Sequence, residues 1–163
     1  MPRRSLPHPI LVLIGFLVLC LSVAGLAALI TRPAMQGWYQ SLRQPPGNPP
    51  RWVFPLVWVP LYLAMAVAAW RVWRSDRRPP RHRSLQLWGW QLFVNALWTP
   101  TFFGLHKTQA ATAIMLFLCL LVTLMLRDFR RVDRTASLLM APYLAWVCYA
   151  TWLTAGIAWL NPA

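Results

Sequence analysis

Aromatic and uncharged polar side chains recur at helical spacing inside three long apolar segments of this 163-residue chain. Residues three, four or seven positions apart share one face of a helix. If the three faces converge, they would enclose an apolar pocket with an amide, indoles and hydroxyls to orient a small molecule. Packing between helices is the commoner meaning of such stripes, so spacing alone leaves both interpretations open. The residues are Trp58 and Tyr62; Asn95, Trp98, Thr99 and Phe102; and Trp146, Ala150, Leu153 and Thr154.

The sequence contains no recognisable set of residues for covalent catalysis. No Ser–His–Asp set, pair of carboxylates, glycine-rich phosphate loop or Cys–His pair stands at usable spacing. The three acids, Asp76, Asp128 and Asp133, all fall in arginine-rich segments, so proton-coupled transport lacks its acceptors. The three cysteines are far apart and the three histidines lie at segment edges. We therefore predict neither a catalytic residue nor a metal site.

The elements that must position these side chains are membrane helices. Hydrophobic residues make up 58% of the chain and charged residues 12%, against about 45–50% and about 25% in ordinary domains. Five stretches are long enough to cross about 30 Å of hydrocarbon: 10–30, 53–72, 85–105, 108–126 and 136–160. The first exceeds a signal-peptide core of about 7–15 residues, so we expect it to be retained. The predicted fold is an all-α integral membrane bundle of five spans, a single domain over 1–163.

The net charge of +13 is distributed unevenly along the chain. Short basic loops stay in the cytoplasm. The pattern predicts a cytoplasmic N-terminus and an outer C-terminus, and favours a bacterial inner membrane, although outer membranes stay open. Nucleic-acid binding is not expected, because no recognition helix or zinc spacing accompanies the arginines. Twelve basic residues lie on the predicted inner side: Arg3, Arg4, Arg71, Arg74, Arg77, Arg78, Arg81, Arg83, Arg127, Arg130, Arg131 and Arg134. Four lie on the other: Arg32, Arg43, Arg51 and Lys107.

The outer segment 31–52 combines aromatic residues with five prolines, four of them within residues 45–50. Proline fixes the backbone angle, so the segment is predicted to be an ordered cap. Its aromatics indicate either a lid over a pocket or an anchor at the membrane interface. Prolines also interrupt the spans and mark candidate kinks, at Pro55, Pro60, Pro100 and Pro142.

Three sequence blocks carry a family resemblance. They are Trp38-Tyr39 with Pro49-Pro50-Arg51-Trp52-Val53-Phe54-Pro55, Trp58 and Tyr62; Gln91-Leu92, Asn95, Leu97-Trp98-Thr99-Pro100 and Phe102-Phe103-Gly104; and Pro142-Tyr143-Leu144, Trp146, Ala150-Thr151 and Leu160-Asn161. In these blocks the chain resembles the translocator protein family, also called tryptophan-rich sensory proteins or peripheral-type benzodiazepine receptors. The blocks stand in family order and span most of the chain.

The resemblance implies five tightly packed helices, usually in a homodimer, with a ligand cavity beneath the first outer loop. It implies binding of protoporphyrin IX and haem, and of isoquinoline carboxamide and benzodiazepine drugs, with no required cofactor. It places Tyr39 in the lid. Its pocket positions are Trp58, Tyr62, Asn95, Trp98, Thr99, Trp146 and Ala150.

The chain departs from the family pattern at several positions. Gln44 stands where the family's first loop usually has lysine, and Gly47 where it has tryptophan. Ile114 replaces an acid that is frequent in span four. The cholesterol motif of animal members needs a basic residue late in span five, and nothing after Arg134 is basic, so sterol binding is not predicted.

The sequence therefore favours a non-enzymatic membrane receptor or transporter-like protein that takes up tetrapyrroles in a Trp-lined cavity, for sensing, sequestration or transport. One alternative is light- and oxygen-dependent porphyrin breakdown, with pocket tryptophans as reactive partners. Another is a structural or partner-binding membrane protein whose aromatic faces are all packing.

Overall fold

A computed structural model of the chain describes residues 8–76 and 80–162, and this part is helical throughout apart from short connections. Arg3, Arg4, Arg77 and Arg78, four of the basic residues behind the predicted orientation, lie outside the described residues. The elements are α1 (Pro9–Gln36), α2 (Trp38–Ser41), α3 (Val53–Arg74), α4 (Pro80–Thr99) with a π-helical turn (Pro100–Gly104), α5 (Thr108–Val132) and α6 (Arg134–Leu160).

Five of these helices form a membrane bundle, which confirms the predicted fold class. Four of them, α1, α3, α5 and α6, are long and apolar enough to cross a membrane. Helix α4 is less apolar because it carries Ser84, Gln91 and Asn95, yet all three side chains are buried inside the protein. Its twenty residues extend about 30 Å, and the π-helical turn lengthens it further.

The helices run further than the apolar stretches indicated. Helix α1 continues past residue 30 through Pro33 to Gln36, so the first part of segment 31–52 is helical. Helix α5 includes Arg127 to Arg131, and Asp133 alone separates it from α6. The Asp133 carboxylate accepts a hydrogen bond from the Ala136 amide at 3.0 Å and so caps α6. Apolar length marks the hydrocarbon core, whereas these helices extend beyond it.

The five long helices pack side by side in a ring. Helix α1 packs on α3, α3 on α6, α6 on α5, α5 on α4, and α4 with its π-helical turn on α1. Small residues of α3, including Ala66 and Ala69, are fully buried and allow the close approach of neighbouring helices. We call the end of the bundle that carries residues 37–52 the loop end and the opposite end the arginine end.

Two ion pairs join helices at the arginine end. Arg71 of α3 contacts Asp133 at 3.0 Å, and Arg83 of α4 contacts Asp128 of α5 at 2.9 Å. Burial acts to raise the pKa of Asp133, but the hydrogen bond from the Ala136 amide and the Arg71 guanidinium outweigh it and hold this pKa below its ordinary value. Arg81 donates to the backbone carbonyls of Trp73 and Ser75 near the end of α3. Several arginines here thus have structural partners.

Hydrogen bonds tie the segment 37–52 to helix α6 at the loop end. Asn161 accepts from the Arg43 amide at 2.9 Å and donates to the Arg43 carbonyl at 3.0 Å. The Tyr149 hydroxyl donates to the Gly47 carbonyl at 2.7 Å. Gly47 adopts a φ of +82°, which glycine tolerates, and this turn brings it against the ring of Trp152. The segment therefore covers the loop end as a folded element.

Candidate functional site

A cavity of about 420 Å³ lies between α1, α3 and α4 in the half of the bundle nearer the loop end. Pockets for small molecules are usually about 300–1,000 Å³ and mostly apolar. Exposed residues such as Ala28, Pro55 and Val59 belong to its wall, so the cavity opens between α1 and α3 on the outer surface of the bundle. A guest too large to be enclosed can extend through this opening.

The deep wall of the cavity is aromatic. Trp58 of α3 lies with its ring centroid 5.6 Å from that of Tyr62, one turn further along the helix. From α4, Trp98 stacks on Phe102 at 5.6 Å and meets the edge of Phe103 at 5.7 Å. These packed neighbours fix the orientation of both indoles. The cavity therefore presents flat, rigid apolar surfaces to any molecule that enters it.

Two polar groups in this wall bear on ligand binding. The Asn95 amide donates to the Tyr62 hydroxyl at 3.2 Å, which joins α4 to α3 across the cavity. The indole nitrogen of Trp98 is buried and has no hydrogen-bond partner within residues 8–76 and 80–162. A buried donor without a partner costs about 1–3 kcal/mol. This nitrogen has almost no accessible surface, so a ligand would reach it only if the neighbouring side chains moved.

The rim at the loop end is polar and positively charged. Thr31, Arg32 and Gln36 come from the last turns of α1, and Arg51 comes from the residues just before α3. The Arg51 guanidinium donates to the Met35 carbonyl at 3.1 Å, which holds this side chain at the rim. The rim thus combines two cations with an apolar interior.

Five of the residues predicted as a ligand site line this cavity. They are Trp58, Tyr62, Asn95, Trp98 and Thr99. The other six lie outside its wall: Tyr39, Phe102, Trp146, Ala150, Leu153 and Thr154.

The predicted residues of α6 pack behind α3. The Trp146 ring meets the edges of Trp58 at 6.3 Å and Phe54 at 6.1 Å, so neighbouring aromatics occupy the space beside its indole. Ala150 is buried, and its carbonyl accepts from the Thr154 hydroxyl at 2.8 Å. The indole nitrogen of Trp146 is nevertheless buried without a partner among the described residues, as in Trp98.

Tyr39 and Phe102 lie between the folded segment and the cavity wall. The Tyr39 hydroxyl donates to Asn48 at 3.0 Å, and its ring lies 6.3 Å from Phe102 and 5.8 Å from Phe103. Trp38 stacks on His106 at 4.0 Å. Phe103 belongs to the cavity wall, so these contacts link the covering segment to the aromatic wall through one layer of rings.

Sequence reasoning did not identify the contribution of α1. Ala24, Ala27 and Thr31 line the cavity at spacings of three, four and seven, which is one helix face. This spacing can be read from the sequence, but small residues in a uniformly apolar helix do not distinguish one face from another. Arg32 and Arg51 also stand at the cavity rim, a position that their charge and, for Arg51, its place in the first family block do not indicate.

The cysteines and acids do not assemble a metal site in the part of the chain that is described, where no cluster of three potential ligands occurs. Cys20 is buried alone, while Cys119 of α5 and Cys148 of α6 have sulfurs 3.8 Å apart. Asp128 and Asp133 pair with arginines.

Comparison with known proteins covers nearly the whole chain. A model described as the TspO/MBR family matches residues 16–160. A tryptophan-rich sensory protein of Cereibacter sphaeroides is 39% identical over 138 residues, covering 85% of this chain and 84% of that protein. Protein CrtK of Rhodobacter capsulatus is 36% identical over 148 residues, covering 90% and 91%. The translocator protein of Bos taurus is 32% identical over 139 residues, covering 84% and 82%.

Proposed function

The chain belongs to the TspO/MBR family of integral membrane proteins, and from this premise we propose that it is a receptor or transporter-like protein for porphyrins such as protoporphyrin IX and haem. The guest is a ligand, and no further cofactor is required. Isoquinoline carboxamides and benzodiazepines, which are also flat and apolar, would compete for the same space. The outcome of binding is sensing, sequestration or transport of the tetrapyrrole.

One observation carries this proposal: an unfilled cavity bounded by the indoles of Trp58 and Trp98. The cavity opens on the outer surface between α1 and α3, so a flat molecule can reach these two indoles. The buried indole donor of Trp98 adds a polar group that lacks a partner among the described residues. A planar aromatic ring matches the flat apolar surfaces of this cavity.

The test is a titration of purified protein in nanodiscs with protoporphyrin IX, followed by quenching of tryptophan fluorescence. Ala27→Phe places a ring inside the cavity, whereas Ala113→Phe adds the same ring to an exposed position of α5. We expect saturable quenching in the wild type and in Ala113→Phe, and at least about tenfold weaker binding in Ala27→Phe. Equal affinity in all three proteins would refute the cavity as the binding site.

A second candidate function is the light- and oxygen-dependent breakdown of the bound porphyrin. The observation that favours it is the presence of two oxidisable indoles, Trp58 and Trp98, in the cavity wall. The complex is illuminated in air and the porphyrin absorption band is followed, with a porphyrin-binding soluble protein as control. Loss of the band at the same rate in both samples would leave binding as the function.

We infer that the arginine end faces the cytoplasm of a bacterial cell, with the C-terminus outside. The support is the concentration of arginine at that end, including Arg127, Arg130, Arg131 and Arg134. Alkaline phosphatase fused after residue 163 is active only when exported. Activity of this fusion is the expected result, and an inactive but expressed fusion would contradict the orientation.

We also propose a homodimer, which the family resemblance implies. The outward face of α4 offers a surface for a second copy, because Trp90 and Phe93 are exposed beside Gly89, whose Cα has open space above it. Light scattering of the detergent-solubilised protein should give twice the chain mass of 18.7 kDa after subtraction of detergent. A single-chain mass at all concentrations would contradict the dimer.

A further inference from the structure

Two thiols from neighbouring helices lie close together on the outer surface of the bundle. The sulfur atoms of Cys119 on α5 and Cys148 on α6 are 3.8 Å apart, and neither residue belongs to the cavity wall. We propose that this pair is a modification site, at which an organic hydroperoxide dissolved in the membrane oxidises the two thiols to a disulfide that joins α5 to α6. The inference is independent of the cavity and of any guest that it binds.

The first support is the distance between the two sulfur atoms. Formation of a disulfide bond, which is about 2.0 Å long, brings them together from 3.8 Å, a movement of the size that side-chain rotation provides. The two thiols belong to different helices that pack against each other, so they meet in the folded protein although they are 29 positions apart along the chain. A crosslink at this point therefore joins two separate elements of the fold.

The second support is the environment of the pair. Cys148 is exposed and Cys119 is partly exposed, whereas Cys20, the third cysteine, is buried. Cys148 lies near the middle of the 27-residue helix α6, and Cys119 lies near the middle of the 25-residue helix α5. Exposed atoms at this depth of a spanning helix face the acyl chains of the lipid. The oxidant must therefore dissolve in lipid, as a hydroperoxide formed on an acyl chain does.

The third support is the hydrogen bonding around the pair, which gives the two thiols different roles. The Thr151 hydroxyl donates its single proton to the Val147 carbonyl at 2.7 Å. The Thr151 oxygen, 3.3 Å from the Cys119 sulfur, therefore accepts from the Cys119 thiol. Because the Cys119 proton is used in this bond, the Cys119 sulfur presents its lone pairs to Cys148. Cys148, the more exposed thiol, meets the oxidant first, and Cys119 is placed to attack it afterwards.

The reaction then proceeds in two steps without separated charge. The Cys148 sulfur attacks the terminal oxygen of the hydroperoxide, the O–O bond breaks, and the thiol proton passes to the leaving oxygen, which gives a sulfenic acid and an alcohol. The Cys119 sulfur attacks the Cys148 sulfur, the S–O bond breaks, and the hydroxyl group leaves with the Cys119 proton as water. The two thiols lose two electrons and two protons, and one hydroperoxide is reduced to alcohol and water. No isolated ion, which would be costly in lipid, has to form.

The experiment treats the protein in nanodiscs with cumene hydroperoxide, then denatures it, alkylates the remaining thiols and digests it with trypsin. The three cysteines fall in different tryptic peptides, since Cys119 lies within 108–127, Cys148 within 135–163 and Cys20 in neither. We expect the peptides 108–127 and 135–163 to appear joined, two hydrogen atoms lighter than their sum, while Cys20 stays alkylated. Hydrogen peroxide at the same concentration should act more slowly, because it partitions poorly into lipid.

Three variants test the position and the order of the two thiols. Ala145→Cys combined with Cys148→Ser keeps an exposed thiol on α6 but moves it about 4.5 Å along the helix axis, and we expect the crosslink to be lost. In Cys119→Ser, oxidation of Cys148 should stop at the sulfenic acid, which a dimedone probe traps. In Cys148→Ser, Cys119 should stay a thiol that is alkylated after the treatment.

Several results would overturn the proposal. If Cys119 and Cys148 stayed as fully alkylated as Cys20, the pair would not be a modification site. Crosslinking that is equally efficient in the Ala145→Cys variant, or that joins two copies of the peptide 135–163, would mean that random collision and not the observed contact forms the bond. Equally fast oxidation by hydrogen peroxide would exclude a lipid-borne oxidant. Trapping of Cys119 in place of Cys148 would contradict the order of attack.

Discussion

Replacing Trp98 by phenylalanine should weaken ligand binding, yet this variant should be more stable than the matched variant Trp88→Phe. The substitution keeps an aromatic ring in the cavity wall but removes the indole N–H, which is buried without a partner among the described residues. If that donor serves the ligand, its loss costs one hydrogen bond, about 0.5–1.5 kcal/mol, or about a two- to twelvefold rise in Kd. The fold of the unliganded protein loses no hydrogen bond.

Trp88→Phe is the matched control in the same helix. Trp88 is as buried as Trp98 but lies outside the cavity wall, and its indole donates to the Met65 carbonyl at 3.1 Å. Both substitutions remove the same volume, so their packing costs are similar. Trp88→Phe also loses a bond inside the fold and should be the less stable variant by about 1–3 kcal/mol, with unchanged affinity.

The assay pairs thermal unfolding of the unliganded proteins with titration of the porphyrin absorption band, because fluorescence quenching changes when tryptophans are removed. The predicted result is that Trp98→Phe loses affinity but is the more stable of the two variants, whereas Trp88→Phe keeps affinity and is the less stable. The reasoning would be refuted if Trp98→Phe were destabilised as much as Trp88→Phe and bound the porphyrin as tightly as the wild type. Its N–H would then serve the fold and not the guest.

Other regions of the molecule make separate predictions. Ala150→Phe should lower the unfolding temperature, because overpacking a buried site costs about 1–3 kcal/mol. Unlike Ala27→Phe, it should leave ligand binding unchanged, since Ala150 lies outside the cavity wall. A normal unfolding temperature together with lost binding would instead place the site against α6. Gly156→Ala should loosen the covering segment, because a Cβ atom there would stand 2.8 Å from Pro45, and faster proteolysis within residues 42–52 is the readout; unchanged cleavage would contradict the close approach. The lowered pKa of Asp133 means that its stabilising effect is complete above the ordinary carboxyl value of about 3.9 and is lost as the pH falls through the lowered value. The stability difference between the wild type and Asp133→Asn should therefore shrink as the pH falls below 4, and a difference that stays constant down to about pH 2 would exclude this pairing.

The sequence predicted the bundle because lipid imposes a length and a composition on every span. The third predicted stretch is the least apolar, because Gln91 and Asn95 lower the hydropathy of α4, although both side chains are buried inside the bundle. The helix ends were less predictable. Pro33 lies inside α1, and Arg130 and Arg131 lie in the last turn of α5, although proline and charge both resemble loop signals.

The part of the candidate site that the sequence predicts is formed by helix faces with aromatic or amide side chains, such as Trp58 and Tyr62 on α3 and Asn95 on α4. Spacing shows that residues share a face, but it does not show whether the neighbour is a side chain or a space. Trp146 illustrates this limit, because the rings of Trp58 and Phe54 lie beside it. Arg32 and Arg51 carry no periodic signal, because their position at the cavity rim depends on which helix ends meet.

The most direct test of the account is an experimental structure of the protein with protoporphyrin IX bound. The account predicts a planar ring in the cavity between α1, α3 and α4, against Trp58 and Trp98. A ring seated against Trp146 and Ala150, with the space between α1, α3 and α4 left unfilled, would contradict it.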